Sequence, residues 1–266
     1  QSGIQQALKK FGPVKYFSQF CDKAYEYVTH LDKIYSRWLG SPTSFRKTSV
    51  KPSGSISLLA GATPGVHCTH SKFYLRTVRT SVNDKLLNGL IKARYRIEVA
   101  NTDKQKVINA LTKSKQQLEW KDGLLLSELN NDTLKAFKEE AGTIVVYFPI
   151  KEDNFTKSKY QISLWEQLTL VKELQHFWAD NSVSVTITFK PEEASDIKQA
   201  IEFFTPHVKT LSFLPLYNHT YSQAPYIECT EEEYNAYRST LKPLNLQRAK
   251  NIIDVEKFCT NDSCEI

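Results

Sequence analysis

The chain has 266 residues, of which 41% are hydrophobic and 24% are charged, an ordinary globular composition with enough length for a sizeable core. Its net charge of +6 is spread along the sequence, which predicts a mild preference for anionic ligands and no nucleic-acid partner. No apolar run approaches membrane-spanning length and no signal-peptide pattern occurs, so we expect no membrane partner. Five cysteines without a secretion signal indicate a reducing compartment, and we expect the cytoplasm.

The start of the chain is unusual, because it begins with Gln1 and the sequence contains no methionine. A complete reading frame would begin with an initiator methionine. We therefore interpret the chain as part of a longer protein.

Residues 14–39 carry apolar side chains in alternating steps of three and four, which predicts an amphipathic helix. Gly40, with Pro42 beyond it, ends that helix. Cys21 lies on the apolar stripe, so we interpret it as a core residue rather than a reactive one.

The stretch at residues 50–61, Val-Lys-Pro-Ser-Gly-Ser-Ile-Ser-Leu-Leu-Ala-Gly, carries the most chemical information. A short strand at 48–50 enters a Pro/Gly turn rich in serine, and Ile56, Leu58 and Leu59 predict the start of a buried helix. Unpaired backbone N–H groups at such a start, flanked by hydroxyls, suit a phosphate or another anion. On local chemistry alone, a serine-capped helix start without a ligand is the commoner case.

A second candidate site follows at once, where His67, Cys68 and His70 lie within four residues. Two imidazoles and a thiol suggest a metal site. No fourth ligand stands nearby and the spacing matches no zinc motif, so we expect no metal here.

The rest of the chain alternates helices and strands. We predict helices at residues 81–95, 162–178 and 192–204, strands at 143–150, 182–189 and 210–216, and a helical surface segment at 102–140. This alternation is typical of a parallel α/β architecture, and either a barrel or an open sheet fits it.

The last residues carry Cys259 and Cys264 in a polar segment, and residues 242–255 show little packing pattern. A mobile dithiol near a terminus suits thiol–disulfide exchange with a buried site. Half of a zinc site and two idle thiols are the alternatives. Cys229 matches no motif, so we interpret it as structural.

Three strings together carry a resemblance to a known family. They are VKPSGSISLLAG continued by ATPGVH at residues 50–67, WADNSVSVT at 178–186, and LSFLPL at 211–216. In this order they resemble the C-terminal part of ribonucleotide reductases, and the nearest variety is the monomeric, adenosylcobalamin-dependent ribonucleoside-triphosphate reductase.

The resemblance implies a fold and a division of the chain. The fold is α/β, with this chain supplying later strands and helices of the family's ten-stranded α/β barrel over residues 1–241. Residues 102–140 would be a helical surface insertion, and residues 242–266 a flexible tail. Residues 66–70 would lie at the rim of the substrate site.

The resemblance also implies a reaction, the radical reduction of ribonucleoside triphosphates to deoxyribonucleotides with adenosylcobalamin as the cofactor. No motif identifies the residues that contact the cobalamin. In this reaction Cys259 and Cys264 would pass electrons from a thioredoxin-type carrier to the active site. The turn residues would hold the substrate's phosphates; they are Ser53, Gly54, Ser55, Ile56 and Ser57.

The family's Asn-Pro-Cys-Gly-Glu loop, which carries the radical cysteine, does not occur in this sequence. We therefore expect the radical cysteine in an N-terminal part outside the chain. The Arg-Val-x-Gly-Tyr type motif of the glycyl-radical branch is also absent, and Tyr217 stands alone where the metal-radical branch has adjacent tyrosines. Three alternatives stay open: a large subunit with a metal-radical partner, an inactive nucleotide-binding module, and a zinc-binding domain that uses His67, His70, Cys259 and Cys264.

Overall fold

The computed structural model of the chain describes residues 2–52, 56–57, 60–120, 123–216 and 222–244. Its helices are α1 (Ile4–Phe11), α2 (Asp22–Leu39), α3 (Leu87–Lys92), α4 (Lys104–Ser114), α5 (Asn131–Glu139), α6 (Leu164–Phe177), α7 (Ile197–Phe204) and α8 (Glu231–Thr240). A π-helix, Lys15–Cys21, lies between α1 and α2. Its strands are β1 (Phe73–Ser81), β2 (Arg96–Val99), β3 (Thr143–Lys151), β4 (Ile187–Phe189), β5 (Phe213–Pro215) and β6 (Tyr226–Glu228). Among the described helices, none is both long and apolar enough to cross a membrane.

The chain divides into two compact units. The first unit comprises residues 1–72 and 151–219, and the second comprises residues 73–150 and 220–266. The predicted boundary at residue 241 stays a prediction, because residues from 245 onward lie outside the described part of the chain.

The first unit is built on parallel strand pairing. Strand β4 pairs in parallel with β5, with Ile187 opposite Phe213, and a parallel bridge joins Val50 to Val183. Helix α7 lies between β4 and β5 in the sequence, as a parallel connection requires. The α/β alternation predicted for residues 182–216 is therefore confirmed in this unit.

Helix α6 forms the centre of the first unit's core. A capping box fixes its start, since the Ser163 side chain accepts from the Glu166 N–H and the Glu166 side chain accepts in return from the Ser163 N–H. Leu164, Leu168 and Leu174 of this helix are fully buried beside Val50 and Ile187. The helix thus packs directly against the strands of its own unit.

The predicted helix at residues 14–39 differs from the structure in two ways. It begins as the π-helix, whose Tyr16, Phe17 and Cys21 are buried, and only then continues as α2. The end of the predicted packing stripe is largely uncovered, since Tyr35 is 50% and Trp38 is 74% exposed. The periodicity of the sequence identified an apolar face here. It did not show how much of that face the described residues cover.

The second unit has a four-stranded sheet in the order β2-β3-β1-β6. Strand β3 pairs antiparallel with β2, placing Val146 opposite Ile97, and β1 pairs antiparallel with β6. The strand predicted at 143–150 is confirmed, but its placement in a parallel alternation is wrong. A buried, β-branched run identifies a strand without specifying the direction of its partner.

Helices α4 and α5 lie within the segment predicted to be helical at residues 102–140. Val107 of α4 and Phe137 of α5 are completely buried in the second unit's core, beside Ile144 of β3. These two helices therefore contribute to a core and are not only a surface feature.

Gly142 offers a direct test of packing in the second unit. A Cβ atom there would lie 2.0 Å from two carbons of the buried Phe137 ring. We expect Gly142→Ala to lower the free energy of unfolding by about 1–3 kcal/mol, because the ring must leave its place. Gly89→Ala is the matched control, since its Cβ would meet only the Leu244 side chain, at 3.4 Å. Urea denaturation should separate the two variants, and equal midpoints would contradict this account.

Candidate functional site

The strand that enters the serine-rich turn is held by main-chain bonds to residues 178–184. Val50 is completely buried and its carbonyl accepts from the Ser184 N–H at 2.9 Å. The Thr48 carbonyl accepts from the Asn181 N–H at 3.1 Å and from the Asn181 side-chain amide at 3.2 Å. The base of the turn is therefore fixed by residues more than a hundred positions away in sequence.

Side chains complete the same attachment. The Thr48 hydroxyl donates to the Trp178 carbonyl and accepts from the Asp180 N–H at 3.1 Å. The indole N–H of Trp178 donates to the Ser49 carbonyl at 3.3 Å. The string at 178–184 that resembles the reductases thus uses its polar groups to hold the strand before the turn.

The third string pairs through its main chain with the residues directly after the second string. The Ile187 N–H donates to the Ser212 carbonyl at 2.8 Å, and the Leu216 N–H donates to the Phe189 carbonyl at 2.8 Å. Segments 48–50, 183–189 and 212–216 therefore follow one another as parallel neighbours. The three strings are separate in sequence and adjacent in the fold.

Helix α1 supports the chain just after the turn. The Gly3 N–H donates to the Thr63 carbonyl at 2.8 Å, and the Thr63 hydroxyl donates to Gln6 Oε1 at 2.8 Å. The side chain of Gln5 donates to the Val66 carbonyl at 3.1 Å. Residues 63–66 are consequently held on one helix.

Gly65 lies directly behind the first residues of the turn. It has a left-handed backbone, with φ of 55°, and a Cβ there would lie 3.1 Å from the Lys51 carbonyl oxygen and 3.3 Å from the Cα and N atoms of Pro52. Glycine is therefore required here by both backbone conformation and space.

The predicted phosphate-binding residues are only partly within the described chain. Ser53, Gly54 and Ser55 lie outside the described residues, as do Leu58 and Leu59. Residues 56 and 57 are helical, so the predicted helix start is confirmed there, but Ile56 is 72% exposed and its predicted burial is wrong. An apolar residue type predicts burial only when the local backbone turns it toward a core.

Ser57 is 1% exposed, and its hydroxyl lies 2.9 Å from the Ser2 hydroxyl. Its carbonyl accepts from the Ala62 N–H at 2.9 Å. Its side chain therefore takes part in holding the turn, and its contact with an anion stays a prediction.

The imidazole of His67 bridges two segments of the first unit. Its Nδ1 lies 3.3 Å from the Pro64 carbonyl, and its Nε2 accepts from the Thr186 N–H at 3.4 Å. This arrangement requires the neutral tautomer with the proton on Nδ1. Burial lowers the pKa of His67, although the bond to Pro64 opposes that shift.

Cys68 and His70 are both half-buried. Burial raises the pKa of the Cys68 thiol to about 11, so it is protonated at neutral pH and a poor nucleophile. Among the described residues, no group of three or more His, Cys, Asp and Glu side chains could hold a metal ion.

The other four cysteines differ in burial and in whether the structure describes them. Cys21 is buried in the first core, as predicted. Cys229 is half-buried and its pKa is raised by burial and by the neighbouring Glu233 and Glu228. Cys259 and Cys264 lie outside the described residues, so their role stays a prediction.

No profile of a known protein family matches the chain. Individual proteins do. The chain is 34% identical over 272 residues to a probable adenosylcobalamin-dependent ribonucleoside-triphosphate reductase of Dictyostelium discoideum, covering 100% of this chain and 31% of that protein. It is 34% identical over 271 residues to the enzyme of that name in Euglena gracilis, covering 99% and 32%. A bacterial counterpart from Lacticaseibacillus paracasei is 31% identical over 211 residues, covering 78% and 23%.

A solved structure gives the same picture of the fold. It is a crystal structure of a B12-dependent, class II ribonucleotide reductase, with a TM-score of 0.71 and 24% identity, covering 96% of this chain and 34% of that chain. The fold of this chain is therefore that of a segment of such a reductase.

The sequence relatives and the fold together indicate a segment of the ribonucleotide reductase type. Within that type, the proteins to which the chain is similar are adenosylcobalamin-dependent ribonucleoside-triphosphate reductases. The chain spans about a third of the length of the two eukaryotic relatives.

His70 gives the candidate site a testable pH dependence. Burial, with a contribution from Lys159, lowers its pKa from 6.5 to about 4. Between those values the unfolded chain binds a proton that the folded chain does not, so stability is lost as the pH falls from about 6.5 toward 4. We expect His70→Gln to lose less stability over this range than the unchanged chain in urea titrations at several pH values. His30→Gln, on the exposed part of α2, is the control; an unchanged pH slope in His70→Gln would contradict the assignment.

Proposed function

We propose that the chain supplies the substrate-phosphate turn and the reducing dithiol of a ribonucleoside-triphosphate reductase that uses adenosylcobalamin. The observation that carries the proposal is the adjacency of segments 48–50, 183–189 and 212–216, which contain the three reductase-like strings. The names of the relatives support the substrate and the cofactor. The rest of the enzyme, with the radical cysteine, would come from an N-terminal part, and the cytoplasm suits its nucleotide substrate.

The finer architecture belongs to the same proposal. The three segments would be neighbouring strands of a ten-stranded α/β barrel, with the turn at 51–57 at one end. Their parallel direction supports this arrangement. Active sites of such folds lie at strand ends, where loops are positioned by rigid neighbours.

In the phosphate-binding step, the backbone N–H groups of residues 53–57 would donate to the oxygens of the substrate's phosphates. Hydroxyls of Ser53 and Ser55 would add donors, while Ser57 supports the turn from behind through Ser2. N–H groups at a helix start bind anions because their partial positive charge has no partner within the helix.

The imidazole of His67, near the site, is a side chain that could in principle contact the cofactor. Adenosylcobalamin supplies a carbon-centred radical when its carbon–cobalt bond breaks. His67 uses both ring nitrogens in bonds within the chain, so it would not hold the cobalamin. None of the described residues is therefore proposed as a contact of the cobalamin.

In the reducing step, Cys259 and Cys264 would act as a dithiol. The thiolate of one attacks the active-site disulfide, forms a mixed disulfide and expels the other sulfur, which takes up a proton. The second cysteine then attacks the mixed disulfide, which frees the remaining active-site thiol. The two electrons come from the Cys259–Cys264 pair, which becomes a disulfide until a thioredoxin-type dithiol reduces it in the same way.

Gly65 tests the phosphate turn. Gly65→Ala forces a side chain against Lys51 and Pro52, and we expect the affinity for a ribonucleoside triphosphate to fall roughly tenfold, a loss of about 1.4 kcal/mol. Gly61→Ala is the matched control, because Gly61 has a similar φ of 61° but nothing within 4 Å of the added Cβ. Isothermal titration calorimetry would measure the affinity of each variant for the triphosphate. Equal affinities would contradict a phosphate site at the turn in front of Gly65.

The dithiol has its own test in the complete enzyme. Replacing Cys259 and Cys264 by serine should abolish turnover with thioredoxin and spare turnover with a small dithiol, because the small molecule reaches the active-site disulfide directly. Cys229→Ser is the control and should leave both activities intact. Equal loss with both reductants would count against the shuttle. Activity that needs a partner protein and ignores adenosylcobalamin would favour the metal-radical branch.

A further inference from the structure

The side chain of Asp180 joins two parts of the first unit that are far apart in sequence. Its Oδ1 accepts from the Tyr25 hydroxyl of α2 at 2.7 Å, and its Oδ2 accepts from the Lys47 N–H at 2.8 Å. One carboxylate therefore connects a long helix to the residue just before the strand at 48–50.

The main chain of Asp180 adds two more attachments. Its N–H donates to the Thr48 hydroxyl at 3.1 Å, and its carbonyl accepts from the Lys209 ammonium. Lys209 lies three residues before the segment at 212–216. Asp180 therefore bonds to residues in or next to two of the three parallel segments, 48–50 and 212–216.

The charge of Asp180 strengthens these bonds. Burial by itself raises the pKa of this carboxyl, but hydrogen bonds from the Lys47 N–H and the Tyr25 hydroxyl outweigh it and hold the pKa below its ordinary value. The same contact, together with burial, raises the pKa of Tyr25. Asp180 is consequently ionised at neutral pH, and bonds to an ionised acceptor are stronger than neutral ones.

We propose that Asp180 is a positioning residue for the phosphate turn, which it sets at a fixed distance from α2 by holding Lys47 and Tyr25 on its two oxygens. This inference rests on the proposed function of the turn. Lys47 is four residues before Lys51, and the strand between them is bonded along its length to residues 178–184. A displacement at Lys47 would therefore be transmitted to the N–H groups that meet the phosphates, whose orientation decides how tightly they bind an anion.

The test compares Asp180→Asn and Tyr25→Phe in the full chain. Asp180→Asn removes the charge and turns an N–H₂ group toward either the Tyr25 hydroxyl or the Lys47 N–H, both of which are donors. Tyr25→Phe removes the bond from α2 and leaves the carboxylate in place. Asp153→Asn, an exposed carboxylate of the same unit, is the matched control. Two quantities are measured for each: amide hydrogen exchange at residues 47–57, and affinities for cytidine triphosphate and for cytidine.

The expected result for Asp180→Asn is faster exchange at Lys47 and in the turn, with about tenfold weaker binding of cytidine triphosphate and unchanged binding of cytidine. Tyr25→Phe should show a smaller change of the same kind, and it keeps the test decisive if Asp180→Asn fails to fold. Asp153→Asn should match the unchanged chain. A loss confined to the triphosphate is what positioning predicts, since a general loss of stability would weaken both ligands alike.

Two results would overturn the inference: unchanged exchange in both variants, or equal weakening of triphosphate and nucleoside. The proposed function fails separately, if the unchanged chain itself does not bind cytidine triphosphate. In that case the exchange data still decide whether Asp180 positions the turn, with faster exchange supporting it and unchanged exchange excluding it.

Discussion

The first unit depends on the backbone pairing of residues 48–50 with residues 181–184. Val50 is completely buried, so its polar main-chain groups must find partners inside the protein or carry a large desolvation cost. The N–H groups of Asn181 and Ser184 supply those partners for Thr48 and Val50. Lys51 and Pro52 follow directly from this attachment, and Gly65 packs against them.

The same pairing explains the use of polar residues at 178–184. Polar side chains beside a candidate binding site are commonly interpreted as ligand contacts. In this structure the indole of Trp178 and the amide of Asn181 are directed at main-chain carbonyls of residues 48 and 49. The polar groups of this string therefore act as a scaffold for the residues before the turn.

The two units solve the pairing of strands differently. In the first unit β4 and β5 are parallel and connected through α7, whereas in the second β2 pairs with β3 and β1 pairs with β6 in antiparallel fashion. Each unit has its own buried core, centred on α6 in one and on Phe137 with β3 in the other. Burial of β-branched side chains stabilises both arrangements, so it does not by itself decide whether a pair of strands is parallel or antiparallel.

The sequence by itself determined the elements that local periodicity encodes and the family that its three strings resemble. Helix α6, strand β3 and the β4–α7–β5 alternation follow from the spacing of apolar residues, and Cys21 was correctly placed in a core. The tertiary structure alone decided that β3 pairs antiparallel, that Ile56 and Trp38 are exposed, and that Asp180 reaches both Tyr25 and Lys47. The physical reason is range: periodicity reports what one segment can bury, whereas partners such as Thr48 and Asp180, separated by 132 residues, are chosen by packing between segments that no local pattern specifies.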